Sequence, residues 1–214
     1  MTDMIRLPVP AALEMPIGEA MFTQRAIRRL KPDPIPDEHV RLILEAATKA
    51  PNGGNAQPAR FLVIRDAAKR AAFAELYHEA WWAKRRDGPG WKTKADIPPE
   101  EKGYLSAARL ADEIGIAPVV VLAFSPHDSL GHSVYPAVQN LLLAARALGI
   151  GSVLTTLHPD VMERVHALFD IPSGMVFHAC IPLGYPRGRF GPTSRLPISD
   201  VVYLDRWGDS PSWQ

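Results

Sequence analysis

Chemically capable side chains are densest in one short stretch, Ala50-Pro-Asn-Gly-Gly-Asn-Ala-Gln-Pro58, which runs into the apolar segment Phe61-Leu-Val-Ile64. Asn52, Asn55 and Gln57 each carry an amide that donates and accepts, so together they suit a ring edged with carbonyls and ring nitrogens. Gly53 and Gly54 admit backbone conformations closed to other residues and let a planar ligand approach the main chain. The chemistry indicated is the holding of a flat heterocycle, ahead of a metal ion or a nucleic acid. The same residues also suit an ordinary turn between a helix and a strand.

Two arginine-bearing segments offer a second chemistry. Arg25, Arg28 and Arg29 lie within Thr23–Lys31 near the end of a helix, and their spacing of three and four residues lets them share a helical face. Arg195 lies in Thr193-Ser-Arg-Leu-Pro197, with Arg187 and Arg189 upstream. Guanidinium forks bind phosphate oxygens in pairs, so two such segments converging on one phosphate would form a clamp. The alternative is a set of solvated surface arginines.

Other reactive constellations fail inspection. Seven histidines are scattered, and none forms a metal-binding spacing with a cysteine or carboxylate, although His127 and His132 are five apart. The sequence contains neither a GxSxG elbow nor a P-loop. Gly149-Ile-Gly151 is half of a dinucleotide fingerprint, but it follows a helix and is read as a helix C-cap. No metal site, nucleophile constellation or carboxylate dyad is expected, so hard chemistry must come from an organic cofactor.

The elements that must position these residues belong to one domain. The 214 residues suffice for a full core without staples, and the formal charge of +1 gives no reason to expect a nucleic-acid or membrane partner. The single cysteine, Cys180, sits in an apolar run and reads as a buried inert thiol in a reducing compartment. With no basic segment followed by an unbroken apolar stretch at the start, the expected location is the cytoplasm.

Pattern and capping signals predict an extended arm over residues 1–15 and a helix from Pro16 to Gln24. A second helix is capped by Asp37, with Val40, Ile43, Leu44 and Ala47 on its apolar face. A strand over Phe61–Ile64 follows, then a helix from Asp66 through Trp81. Residues 83–103 are rich in Gly, Pro and charge, and read as a surface excursion or a mobile lid. Trp81, Trp82 and Trp91 can supply aromatic surface over a ligand or pack a helix end on the core.

A short helix near Tyr104–Glu113 precedes a buried strand, Ala117–Phe124, and a strong helix, Ser133–Leu148. Ser152–Thr156 reads as a strand, residues 159–169 as a helix and Met175–Leu183 as another strand. The extension over 195–214 is apolar and loop-like, as though held by a partner subunit. Helices alternating with at least four strands indicate a layered αβ domain whose strand order the sequence does not give.

Taken in order, five motifs resemble the nitroreductase-like flavoproteins from about Arg25 to Leu204. Arg25-Ala-Ile-Arg-Arg-Leu-Lys-Pro32 is similar to that family's Arg-Arg-Ser-x-Arg-x-Phe motif, and Ala50–Pro58 to its Ala-Pro-Ser-x-x-Asn-x-Gln-Pro-Trp loop. Gln139–Gly151 matches the central helix and its exit, Leu183-Gly-Tyr-Pro186 the end of the late strand, and Ser194-Arg-Leu-Pro197 the terminal phosphate arginine.

The resemblance implies an α+β fold with a mixed, mainly antiparallel central sheet flanked by helices. It also implies an intertwined homodimer that binds FMN at the interface. The implied activity is ping-pong hydride transfer from NAD(P)H through flavin N5 to a nitroaromatic, quinone or enone. Reductive dehalogenation, flavin fragmentation and flavin binding without turnover are the alternatives. Arg25, Ala26, Arg28, Arg29 and Arg195 would then serve the phosphate and ribityl chain. Asn52, Gly53, Asn55 and Gln57 would lie near the isoalloxazine, and Leu154, Thr155 and Thr156 beside the ring with a donor toward N5. Gly54, Trp81, Trp82, Trp91 and Tyr104 would form the substrate or lid surface. Dehalogenation of a zwitterionic substrate would draw on Glu79, Lys102 and Tyr104. Gln24, Ala26, Asn52 and Ala59 depart from the motifs, standing for Arg, Ser, Ser and Trp.

Overall fold

A computed structural model describes residues 8–127 and 130–212, so the first seven residues of the arm and the last two of the C-terminal extension lie outside it. The sheet is built on apolar runs rich in β-branched residues, which favour the pleated, buried environment. Strands β1 (Arg60–Ile64), β2 (Val119–Ser125), β3 (Gly151–Ser152) and β4 (Val176–Gly184) are ordered β1-β2-β4-β3, and every ladder is antiparallel. A parallel pairing is present as a single bridge, Ala26 to Ser152.

Side chains alternate across a strand, and β2 shows the consequence. Val120, Leu122 and Phe124 enter one core, whereas Val119, Val121 and Ala123 enter the other. The first core is covered by α3 (Ala67–Asp87), α4 (Lys102–Glu113) and α6 (Met162–Phe169), through residues such as Phe73, Leu110 and Val165. The second is covered by α2 (Asp37–Thr48) and α5 (Gly131–Ala147), through Ile43, Val138 and Leu141. Three layers result, helices on both faces of an antiparallel sheet.

Capping fixes the start of α3 and the end of α5. The Asp66 carboxylate accepts from the Lys69 N–H at 2.8 Å and starts α3, which runs six residues past Trp81 because Ala83-Lys-Arg-Arg-Asp87 contains no helix breaker. Asp37 is not a cap: Pro36 holds that place, and the Asp37 carboxylate pairs with Arg65 instead. Helix α5 closes on a Schellman turn, with Ile150 N–H to the Ala145 carbonyl, Gly149 N–H to the Arg146 carbonyl, and Gly149 at φ +71°.

Two expected elements differ. Helix α1 (Ile17–Thr23) ends at Gln24, so Arg25, Arg28 and Arg29 do not share a helical face. They lie on extended chain whose Ile27 and Leu30 side chains press onto the sheet end. A Cβ added at Gly151 would stand 2.8 Å from Ile27 Cγ2, so only glycine permits this approach. The strand expected over Ser152–Thr156 is only Gly151–Ser152 plus one bridge, Thr155 to Cys180.

Candidate active site

Helix α3 carries the site's first wall. Tyr77, Trp81, Lys84 and Arg85 fall at i, i+4, i+7 and i+8, hence on one face. Facing them are Arg28 from the extended segment, Tyr104 from α4, and Val153–Thr156 from the chain leaving β3. Together these enclose a cleft of about 460 Å³. Its floor is the α3/α4 core, to which Tyr77, Trp81, Leu110 and Val153 all belong.

Polar contacts fix this wall. The Tyr77 hydroxyl lies 2.9 Å from Thr155 Oγ1, and burial holds the phenol far above its ordinary range, so it stays protonated. Lys84 Nζ donates to the Thr156 carbonyl and to its Oγ1 at 3.0 Å. Burial first, then the neighbouring Arg85 charge, brings the Lys84 ammonium down to about 8. Burial also lowers Arg28. The Arg85 guanidinium carbon sits 4.8 Å from the Trp81 ring centre and 4.9 Å from that of Tyr104. Trp91 meets Tyr104 edge-on at 5.1 Å, and Trp82 meets Trp81 edge-on at 4.7 Å while donating to His78. Trp81 thus satisfies both readings of the tryptophans: it is core and cleft wall together.

Residues 83–103 resolve into three parts. The first continues α3, and the last opens α4 at the cleft rim with Glu101, Gly103 and Tyr104. Between them, Asp96 accepts from the Lys92 and Thr93 backbone, and Ile97 is buried in the core.

The amide-bearing loop lies elsewhere. Asn52 and Gln57 line a second hollow of about 210 Å³ with Ala47, Ala50 and Ala137, residues of the α2/α5 core. The Asn52 carbonyl oxygen Oδ1 accepts from the Gln57 N–H at 2.8 Å, and the Gly53 N–H donates to Ser133 Oγ at 3.2 Å. Gly54, Asn55 and Gln57 have φ of 57°, 53° and 49°, so three of five successive residues are left-handed. Within this chain the loop and the cleft therefore belong to opposite layers of the sheet.

The arginine segments are stitched together by backbone. Lys31 N–H donates to the Tyr185 carbonyl at 2.8 Å, Arg187 N–H to that of Arg29 at 3.0 Å, and Gly191 N–H to that of Thr23 at 3.4 Å. The chain leading to Arg195 thus runs antiparallel along the segment holding Arg25, Ala26, Arg28 and Arg29. Arg28 alone of these enters the cleft lining. Arg25, Arg29 and Arg195 are exposed, and Arg195 donates to the carbonyl of Ser194.

Thr155 is narrowed as an N5 donor. Its N–H donates to the Cys180 carbonyl at 2.9 Å, and its carbonyl accepts from the Cys180 N–H at 2.8 Å. The Thr156 hydroxyl accepts from Lys84 and so retains its own proton to donate. Cys180 is fully buried and its thiol is pushed up by desolvation, the inert thiol expected. Ser125 and His178 meet at 2.7 Å, but Ser125 Oγ also donates to the His127 carbonyl at 2.6 Å. The histidine Nε2–H must then donate to serine, opposite to what a general base requires. Among the described residues no three His, Cys, Asp or Glu gather as a metal site, and no helix is long and apolar enough to cross a membrane.

Sequence reading missed Tyr77, Lys84 and Arg85. Their spacing relative to Trp81 was the available signal, but it needs the knowledge that this helix face borders a cavity.

The profile of the nitroreductase family matches residues 22–185. The chain belongs to the nitroreductase family. It is 33% identical over 195 residues to an NADH dehydrogenase of Thermus thermophilus, covering 86% of this chain and 93% of that one. It is 30% identical over 181 residues to an iodotyrosine deiodinase of Thermotoga neapolitana, covering 84% and 91%. A solved nitroreductase in complex with FMN from Desulfovibrio desulfuricans superposes with a TM-score of 0.60 at 29% identity, covering 91% and 99%. As a member of the nitroreductase family the chain is an oxidoreductase, with the α+β fold of that family.

Proposed function

We propose that the protein is an FMN-dependent oxidoreductase. It would work by ping-pong hydride transfer from NAD(P)H to a small aromatic or conjugated acceptor, as a homodimer whose two subunits share each flavin site. The observation that carries this reading is the cationic, aromatic-walled cleft between α3, α4 and Val153–Thr156 in a chain of the nitroreductase family. Its residues fit a flavin: Arg28 and Lys84 offer cations, and Tyr77 and Thr156 hydroxyls.

Bound there, FMN would supply the hydride-carrying atom, N5, that no side chain of this protein provides. Arg28 would bind the polar side of the cofactor, and Arg25, Arg29 and Arg195 its phosphate. Arg195 is brought alongside by the three backbone contacts that tie its segment to Thr23–Lys31. The Thr156 hydroxyl, which keeps a proton to donate, would be the donor toward N5, since the Thr155 amide is held by Cys180. Lys84 orients Thr156 and, when protonated, would stabilise negative charge arising beside it.

Asn52, Gly53, Asn55 and Gln57 would reach the flavin of the partner subunit, because their own cleft is on the other layer. Exposed apolar side chains on α1 and on the C-terminal extension fit such a partner. Phe22 is 75% exposed, and Ile198, Val201 and Trp207 also face solvent. Of the residues that gripping a zwitterion would draw on, Tyr104 lines the cleft. Glu79 is held by both terminal nitrogens of Arg164, and Lys102 is not in the cleft lining.

Purified protein should carry FMN, lose its absorbance under anaerobic NADH or NADPH, and regain it on adding a quinone or nitroaromatic. A colourless protein that refuses added FMN would contradict the reading. A yellow one inert to both nicotinamides would mean flavin binding without this reaction.

A further inference from the structure

Arg60, Arg70 and Arg195 donate to backbone carbonyls, whereas no protein hydrogen bond or ion pair engages the Arg85 guanidinium among the described residues. Arg41, Arg65, Arg86, Arg146 and Arg164 each pair with a carboxylate. Arg85 has none among the described residues, although Glu101 lines the same cleft, and its Nε is buried without a hydrogen-bond partner. A buried unpaired donor is costly to keep. Two aromatic rings flank the guanidinium carbon, and Arg85 lines the cleft. A guanidinium edge matches a planar carboxylate, which it binds through two parallel hydrogen bonds. The other cation of α3 in the cleft, Lys84, is already engaged by Thr156. Neutral acceptors such as quinones would leave Arg85 unmatched.

We infer that the acceptor carries a carboxylate, read by Arg85, with its ring or conjugated system against Trp81 and Tyr104. This deepens the proposed oxidoreductase reading and rests on it for the identity of the cleft. The natural acceptor class is thus an aromatic or α,β-unsaturated carboxylic acid.

The test is binding of 4-nitrobenzoate against its neutral isostere 4-nitrobenzamide, followed by quenching of tryptophan fluorescence in the purified dimer. Flavin content is measured separately from absorbance. The carboxylate is expected to bind about tenfold or more tighter than the amide. Arg85→Gln should reduce that ratio to about one, and Arg85→Lys should retain part of it. Equal binding of the two probes by the wild-type protein would overturn the inference. So would loss of FMN in Arg85→Gln, which makes Arg85 a cofactor residue, or a collapse of an NADPH-over-NADH preference, which makes it a reader of the nicotinamide phosphate. Absence of flavin from the wild-type protein would show in the absorbance and would contradict the oxidoreductase reading, while the ratio of the two affinities still decides the role of Arg85.

Discussion

The cleft under α3 and the Asn52–Gln57 loop are built on opposite principles. The loop is contiguous: its polar groups come from six neighbouring residues, and its shape comes from their own backbone, with left-handed φ at Gly54, Asn55 and Gln57. The cleft is assembled from four separate stretches of chain, and its shape comes from packing on a shared core. Contiguous sites can be read from sequence but are incomplete alone, since a loop cannot supply walls. Assembled sites are complete in chemistry but show in sequence only as isolated residues on otherwise ordinary helices.

That contrast should appear first in stability. Trp81→Ala removes a wall that is also core, and should cost about 3–5 kcal/mol in chemical denaturation. A cost below about 1 kcal/mol would mean that the cleft does not rest on that packing.

A glycine pair sharpens the comparison. Gly151→Ala pushes a Cβ into Ile27, and should cost about 1–3 kcal/mol. Gly53→Ala meets its nearest atom, Ser133 Oγ, only at 3.9 Å, and should change stability by no more than about 0.5 kcal/mol. Equal penalties would erase the distinction between an assembled region and an open loop.

The smallest effect is in pH. Lys84 releases its proton at about 8 in the folded protein against 10.5 ordinarily. Between those values the unfolded chain binds more protons, so stability rises with pH as the buried charge is removed. Lys84→Met should abolish that rise. After discounting for the solvent-exposed part of the side chain, the difference is about 2–4 °C in Tm between pH 8 and pH 10. Identical pH profiles for the two proteins would show that the ammonium is not desolvated.

Legibility of the sequence followed the same division. The strands at Phe61 and Val119, the cap at Asp66 and the helix stop at Gly149 were legible because short-range chemistry decides them. The Arg25–Arg29 segment has a spacing by three and four that would also allow a shared helical face. It is extended because Ile27 and Leu30 pack against Gly151 and Gly184, a contact between residues more than a hundred apart. Tyr77, Lys84 and Arg85 were passed over for a related reason, since a basic last turn also serves the helix dipole and needs no cleft to explain it.

The central claim is that each flavin takes its cleft from one subunit and its amide loop from the other. Mixed dimers of an Arg28→Ala subunit and an Asn52→Ala subunit, separated by affinity tags from either parent dimer, test it most directly through their FMN content. If the site is shared as proposed, one of the two sites is fully wild type, and the mixed dimer regains half of the wild-type flavin content while each parent variant stays depleted. If cleft and loop serve the same flavin within one subunit, every site carries one defect and the mixed dimer stays as empty as its parents.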